Sequence, residues 1–213
     1  MYRHIFFDLD GTLTDPFMGI TRSAQYALSK YGIHAELTDL KRFIGPPLID
    51  SFCEYYGLTE AQAKQAVEYY RELYRDGGAM FDNRVYDGIP GLLSDLKSRS
   101  CELILATSKP IIFARQILEH FGLAEYFDYT FGCELDGRRT RKSEVIAYAL
   151  ECHPVDLSSS IMVGDRLHDV EGAHSNSLPC VGVLWGYGDR PELEKARADF
   201  IAGDMLELEK ILI

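Results

Sequence analysis

The sequence has no apolar run near the roughly 20 residues that a helix needs to cross a bilayer. It also has no Cys-x-x-Cys pair, and its five cysteines are widely spaced and odd in number. Unpaired thiols of this kind are typical of a reducing compartment. These absences argue against a membrane partner and against a disulfide framework, and we expect a cytoplasmic protein.

Positive charge is scarce. The chain has 22 Lys and Arg against 33 Asp and Glu, a net charge of −11, and no basic stripe offsets it. This balance argues against a nucleic-acid polymer as partner. An anionic ligand would need cations at the site that reverse the local field.

The chain is long and apolar enough for one α/β domain with an inserted subdomain, at 213 residues and 46% hydrophobic. After Tyr86, helical and extended patterns alternate, which predicts a parallel sheet covered by helices on both faces. Ligands of such sheets bind at the carboxyl ends of the strands. The predicted elements are helices 90–99, 111–121, 142–151, 167–176, 191–198 and 204–212, and strands 102–106, 128–132, 160–163, 179–184 and 199–201.

The segment from Asp15 to about Asp82 is different, with helical periodicity and little strand character. One predicted helix carries the stripe that starts at Ile20, a second covers 48–56, and a third runs from Thr59 to about Tyr74. We expect the linkers of this segment at 14–18 and 77–83.

The first strand ends in a turn that carries two acids, Asp8 and Asp10, followed by Gly11 and Thr12. Alternate residues of an extended chain point the same way, so the two carboxylates can converge. They repel each other unless a cation neutralises them, and Mg²⁺ is suited to oxygen ligands. The turn therefore predicts a metal and phosphate site. The alternative is a core strand followed by an ordinary Asp-Gly turn.

Hydroxyl residues follow the strand predicted at 102–106. Thr107 and Ser108 can donate to a phosphoryl oxygen, and the helix N-terminus behind them adds backbone donors. Ordinary N-capping is the alternative for these residues.

Two further positions carry charge at predicted element ends. Lys142 begins the helix predicted at 142–151, and Asp165 comes just past the strand predicted at 160–163. Asp169 lies four residues after Asp165, on the same face of the helix that starts there.

Taken in this order, the four segments resemble the motifs of the haloacid dehalogenase superfamily, which consists largely of phosphatases. The chain is most similar to its phosphoglycolate phosphatase-like branch, some of whose members are described as nucleotidases. The resemblance implies a Rossmann-like three-layer core with a parallel sheet, formed by 1–14 and 84–213, and a small all-helical cap at 15–83. The sequence departs from the family at Asn176-Ser177, where relatives often have Asn-Gly, and we expect a shifted turn there.

The resemblance also implies roles. Asp8 would be the nucleophile and Asp10 the acid and base, while Asp169 would support Lys142 or a metal-bound water. Mg²⁺ would be held by Asp8, by Asp10 through its backbone carbonyl and by Asp165. Lys142, Thr107 and amides near Gly11 would stabilise charge on the phosphoryl group, and the expected substrate-binding residues are Gly11, Thr12, Arg42, Thr107 and Ser108.

In the cap, Arg42 precedes a rigid tip formed by Gly45 and two prolines. This segment is similar to the loop that relatives turn toward the active site, and there Arg42 would bind a substrate anion. A solvated connector is the alternative. The Gly-rich segment 185–188, which follows a predicted core strand, is a candidate for lining the entrance to the active site.

The sequence thus predicts an Mg²⁺-dependent phosphatase acting on a small phosphorylated metabolite. A 5'-nucleotidase and a phosphomutase share the core motifs and remain alternatives. A receiver-type signalling module is disfavoured because it needs neither a cap nor an acid such as Asp10. A dehalogenase is disfavoured because Asp10 would be superfluous. The substrate stays open, as does the choice between monomer and homodimer.

Overall fold

The computed structural model describes all residues from 1 to 213. The chain forms two compact units, the first made of Met1–Asp15 and Val85–Ile213 and the second of Pro16–Arg84. Each of these boundaries lies one residue after the one expected from the sequence. None of the helices is long and apolar enough to cross a membrane.

Six strands of the first unit form one sheet in the order β5-β4-β1-β6-β7-β8, with every neighbouring pair parallel. The predicted α/β class is therefore confirmed. Two further short strands, β2 and β3, pair with each other. The strands are β1 (His4–Phe7), β2 (Thr14–Asp15), β3 (Arg84–Val85), β4 (Glu102–Pro110), β5 (Tyr129–Cys133), β6 (Ser160–Gly164), β7 (Cys180–Val183) and β8 (Phe200–Ala202).

Helices account for the alternation seen in the sequence. The second unit contains α1 (Phe17–Ser29), α2 (Leu48–Tyr56) and α3 (Glu60–Arg71). The first unit contains α4 (Ile89–Ser98), α5 (Ile111–His120), α6 (Lys142–Cys152), α7 (Leu167–His174), α8 (Arg190–Lys195) and α9 (Met205–Leu212).

The sheet is buried on both faces. Phe6, Ile104 and Met162 pack with side chains of α6 and α7 in one apolar cluster. Their strand neighbours Ile5 and Leu103, which alternate to the other face, are buried as well. Burial on both faces explains why these strands are continuous apolar runs rather than alternating ones.

The strand register brings the motif turns together. Phe7 at the end of β1 lies opposite Leu105 of β4 and Val163 of β6. The residues that follow these three strands therefore meet at one edge of the sheet. β4 is longer than predicted and continues to Pro110, with an irregular register against β5 between Thr107 and Pro110.

Several local expectations need correction. The first linker is shorter than predicted because α1 already begins at Phe17. In the second, Ala79–Phe81 forms a 3₁₀ turn. The third helix of the second unit ends at Arg71 and continues as a π turn, Glu72–Asp76. We expected a shifted turn at Asn176-Ser177, but the residue with a positive φ, 60°, is Ser177, the position where relatives often have Gly, so the turn is not shifted.

Candidate active site

The predicted site residues of the first unit come from four chain segments. Asp8 and Asp10 follow β1, and Thr107 and Ser108 lie in the last part of β4. The other charged positions are the start of α6, at Lys142, and the segment after β6, which carries Asp165 and Asp169. Since β1, β4 and β6 are adjacent and parallel, their carboxyl ends form one edge.

Lys142 joins two of these segments. Its Nζ lies 2.7 Å from Asp8 Oδ1 and 2.8 Å from Asp169 Oδ1, and it donates a hydrogen bond to the Ala106 carbonyl at 2.9 Å. Burial lowers the pKa of Lys142, but the carboxylates of Asp169 and Asp8 outweigh that effect and raise it. Lys142 is therefore a permanent cation against Asp8.

Three carboxylates surround one point. An oxygen of each of Asp8, Asp165 and Asp169 lies within 4.8 Å of the others. Burial, with the nearby Asp169 and Asp8 charges, raises the pKa of Asp165, and burial raises that of Asp169 against the lowering effect of Lys142. Like charges at this spacing are unfavourable unless a cation or protons neutralise them.

These acids fit a divalent cation. The Oδ1 atom of each, Asp8, Asp165 and Asp169, is buried and lacks a hydrogen bond of good geometry. Lys142 approaches the Asp8 and Asp169 oxygens but leaves Asp165 Oδ1 buried without a partner, which is costly. Hard divalent cations take such oxygens as ligands. Asp169 lies beside the acids predicted to hold the metal and beside Lys142, and its expected role in supporting Lys142 or a metal-bound water stays a prediction.

Asp10 has a different partner. Its Oδ2 lies 2.5 Å from Nζ of Lys109, and both side chains are largely buried. Burial raises the pKa of Asp10, with Lys109 acting in the opposite direction. The side chain of Asp10 is not part of the three-acid cluster. Lys109 is not among the residues predicted from the sequence, although its position directly after Thr107 and Ser108 is a usable signal.

Glycines let the segments approach each other. Gly11 has a φ of +89°, and a Cβ there would collide with the carboxylate of Asp165. A Cβ at Gly186 would collide with the same carboxylate and with the Gly11 carbonyl. The Gly11 amide donates to the Thr14 carbonyl at 2.7 Å and so closes the turn, and binding of a phosphoryl group by Gly11 stays a prediction.

The segment 185–188 belongs to the site more closely than the sequence suggested. The amide of Tyr187 donates to Asp165 Oδ2 at 2.7 Å, and the Tyr187 hydroxyl donates to Asp15. Burial and the Asp15 carboxylate raise the pKa of this phenol. Trp185 Nε1 donates to the Thr12 carbonyl at 3.1 Å. The signal for this contact was the pair of glycines around one aromatic residue after a core strand.

The remaining predicted residues have these surroundings. The hydroxyl of Thr12 is buried and has no hydrogen-bond partner. Thr107 is also buried, and its hydroxyl accepts a hydrogen bond from the Lys109 amide at 3.3 Å. Arg42 belongs to the second unit, where its guanidinium lies over the ring of Tyr55 at 4.4 Å. Substrate binding by these residues and by Ser108 stays a prediction.

The chain matches known proteins over most of its length. A family model described as "Haloacid dehalogenase-like hydrolase" matches residues 5–183. A 5'-nucleotidase of Pseudomonas aeruginosa is 46% identical over 212 residues, 99% of this chain and 96% of that protein. A solved structure described as "a predicted phosphatase from Clostridium acetobutylicum" has a TM-score of 0.96 and 48% identity, covering 100% of this chain and 98% of that one.

Two other relatives carry different names. The tyrosine-protein kinase PtkA of Mycobacterium tuberculosis is 40% identical over 199 residues, which are 92% of this chain and 64% of the kinase. A phosphoglycolate phosphatase of Vibrio parahaemolyticus is 26% identical over 217 residues, 98% of this chain and 95% of that protein. The likeness to these proteins includes the inserted unit.

Proposed function

This chain belongs to the haloacid dehalogenase-like hydrolases and is a phosphoric monoester hydrolase, and we propose that it works through a phosphoryl group carried on Asp8. The observation that supports this most is the contact of Lys142 with Asp8 beside two further buried acids. A lysine there places positive charge beside Asp8 and would neutralise an incoming phosphate.

The proposed reaction has two displacements. In the first, a carboxylate oxygen of Asp8 attacks phosphorus, the bond to the leaving oxygen breaks, and Asp10 gives its proton to that oxygen. In the second, Asp10 takes a proton from water as the water oxygen attacks phosphorus. The bond to Asp8 then breaks, orthophosphate leaves, and both side chains return to their starting states.

Mg²⁺ is the proposed cofactor. Asp8 and Asp165 would hold it together with the backbone carbonyl of Asp10, and Asp169, beside these acids, would support a metal-bound water. When bound, the ion supplies positive charge to the phosphoryl oxygens. Lys142 serves the same end from the protein side, and Asp169 keeps Lys142 in place.

For the substrate we propose a nucleoside 5'-monophosphate. The support is the 46% identity to a 5'-nucleotidase along nearly the full length of both proteins. Phosphoglycolate is the second candidate, since the phosphatase of that name is also similar over the whole chain. We further propose a cytoplasmic location, supported by five cysteines that are all free.

The test is release of phosphate from a nucleoside 5'-monophosphate, phosphoglycolate and an aryl phosphate, with Mg²⁺ and with excess chelator. We expect turnover only with the metal and the highest kcat/KM for the nucleotide. Asp8→Asn should lower turnover by at least about 10³-fold because the nucleophile is lost. Exposed Asp136→Asn is the control and should leave turnover unchanged.

Three results would contradict the proposal. Full turnover in chelator would exclude the metal, and an active Asp8→Asn variant would point to another nucleophile. Transfer of the phosphoryl group to a tyrosine-containing peptide, with no phosphate released, would favour the activity for which PtkA is named.

A further inference from the structure

The ion pair between Lys109 and Asp10 has no part in the two displacements proposed above. It is short, at 2.5 Å, and the side chains are only 6% and 13% exposed. The two residues are 99 positions apart in the chain. Such a pair needs a reason, because burying two charges costs free energy that their attraction does not always recover.

The two oxygens of Asp10 are in unlike environments. Oδ2 accepts from the Lys109 ammonium group, whereas Oδ1 is buried and has no hydrogen-bond partner. A carboxyl group that moves a proton to and from a substrate needs one oxygen held in a defined place and available to the reacting atoms. The pair with Lys109 therefore selects Oδ1 as the oxygen available for that proton.

Lys109 is itself held by the segment that carries it. Its backbone amide donates to the Thr107 hydroxyl, in the part of β4 where the register against β5 becomes irregular. The irregularity and the buried stem restrict the directions that the ammonium group can take. The lysine beside Asp8 and Asp169 is Lys142, so the two lysines contact different acids of the proposed mechanism.

We propose that Lys109 is a positioning residue that fixes the carboxyl group of Asp10 and leaves Oδ1 to carry the proton in both displacements. The proposal rests on the proposed function. Removing the lysine frees Asp10 to rotate, so Asp10 would donate to the leaving oxygen and accept from water less often. Affinity for the phosphoryl group would not change, since Lys109 acts through Asp10.

The decisive variant is Lys109→Met, which keeps the length of the stem and removes the ammonium group. With an aryl phosphate, whose leaving group needs little acid assistance, the first displacement should stay within about threefold of wild type. The second should slow by about 10- to 100-fold, because misplacing a proton-transfer group has costs of that order. Acid-quenched samples should then show a product burst and accumulated phosphoprotein by intact mass.

Two measurements separate positioning from other roles. The inhibition constant of inorganic phosphate should be unchanged in Lys109→Met. If Lys109 instead bound phosphate, its removal would raise that inhibition constant in step with the loss of kcat. Lys109→Arg keeps a cation and should recover most of the second step. Lys97→Met is the matched control because it removes a lysine that pairs with Asp128 away from these acids, and it should behave as wild type.

A wild-type rate of phosphoprotein breakdown in Lys109→Met would overturn the proposal, and so would a raised inhibition constant for phosphate. If Lys109→Met does not fold, Lys109→Arg decides: breakdown as slow as in Asp10→Asn would count against positioning. Failure of the proposed function looks different. Wild-type protein would then form no phosphoprotein, and Asp8→Asn would remain active.

Discussion

At the scale of single residues, the site concentrates negative charge. Oxygens of three acids, Asp8, Asp165 and Asp169, lie within 4.8 Å of one another. Lys142 contacts two of these acids, Asp8 and Asp169. Burial raises the pKa values of Asp165 and Asp169. Without a divalent cation these acids gain from binding protons, and a metal competes with those protons because it binds the ionised carboxylates.

This competition predicts how pH changes the effect of Mg²⁺ on stability. Because the folded-state pKa values of Asp165 and Asp169 are raised, the folded protein binds more protons than the unfolded chain above the unfolded pKa of about 3.9. The contribution of these two groups to the stability of the metal-free protein therefore falls as the pH rises toward their raised pKa values. Saturating Mg²⁺ should increase Tm by about 5–10 °C near pH 7.5 and clearly less near pH 5.5.

Thermal melting with and without Mg²⁺ at both pH values measures this. Asp165→Asn should remove most of the gain at the higher pH, whereas Asp136→Asn, on an exposed side chain, should keep it. An equal gain at both pH values would mean that the acids at the site do not take up protons.

At the scale of elements, two turns pack against the carboxylate of Asp165. The turn after β1 presents Gly11, and the segment after β7 presents Gly186 and the amide of Tyr187. Neither glycine leaves room for a Cβ beside that carboxylate. Asp165 is thus positioned by backbone from both sides, and this is more rigid than support by long side chains.

Gly186→Ala tests this packing. The added methyl group would displace either Asp165 or the Gly11 carbonyl, so the Mg²⁺ concentration for half-maximal activity should rise by about 10- to 100-fold, as for lost support around a metal ligand. Gly91→Ala is the matched control because nothing lies near its Cβ position within α4. It should leave activity unchanged and add about 0.5–1 kcal/mol of stability. Equal Mg²⁺ requirements in the two variants would contradict the packing argument.

At the scale of the whole molecule, the two units have different proposed tasks. In the proposed function the motif residues of the first unit would contact only the phosphoryl group, which all substrates share, and discrimination between substrates would come from elsewhere. In the second unit, the Arg42 guanidinium lies over Tyr55 at 4.4 Å and over Tyr56 at 5.2 Å. These rings restrict the motion of Arg42, and we propose that this restriction prepares Arg42 to hold a ligand.

Arg42→Ala should therefore lower kcat/KM for the preferred substrate by about 10- to 100-fold, or about 1.4 to 2.7 kcal/mol. A small aryl phosphate should be affected far less because it offers Arg42 nothing to hold. Steady-state kinetics of both substrates on one preparation decide the matter. Lys64→Ala, on an exposed side chain of the same unit, is the control, and a parallel loss for both substrates would assign Arg42 to the phosphoryl group or to folding.

Much of the fold and of the site could be predicted from the sequence because it depends on local patterns. Apolar runs alternating with helical periodicity predicted the parallel sheet, and Asp8, Asp165 and Lys142 stand at ends of the resulting elements. Carboxyl ends of adjacent parallel strands meet at one edge whatever the loops do. The convergence of these residues therefore required no knowledge of individual side-chain conformations.

Only the tertiary structure decided which groups pair at that edge. Lys109 contacts Asp10 across 99 positions and Tyr187 contacts Asp15 across 172, and no periodicity relates residues so far apart. The place of Lys109 depends on the irregular end of β4, and that of Tyr187 on the close approach that Gly186 permits. Such pairs follow from side-chain conformations and packing in three dimensions, whereas the order of strands and motifs follows from the sequence alone.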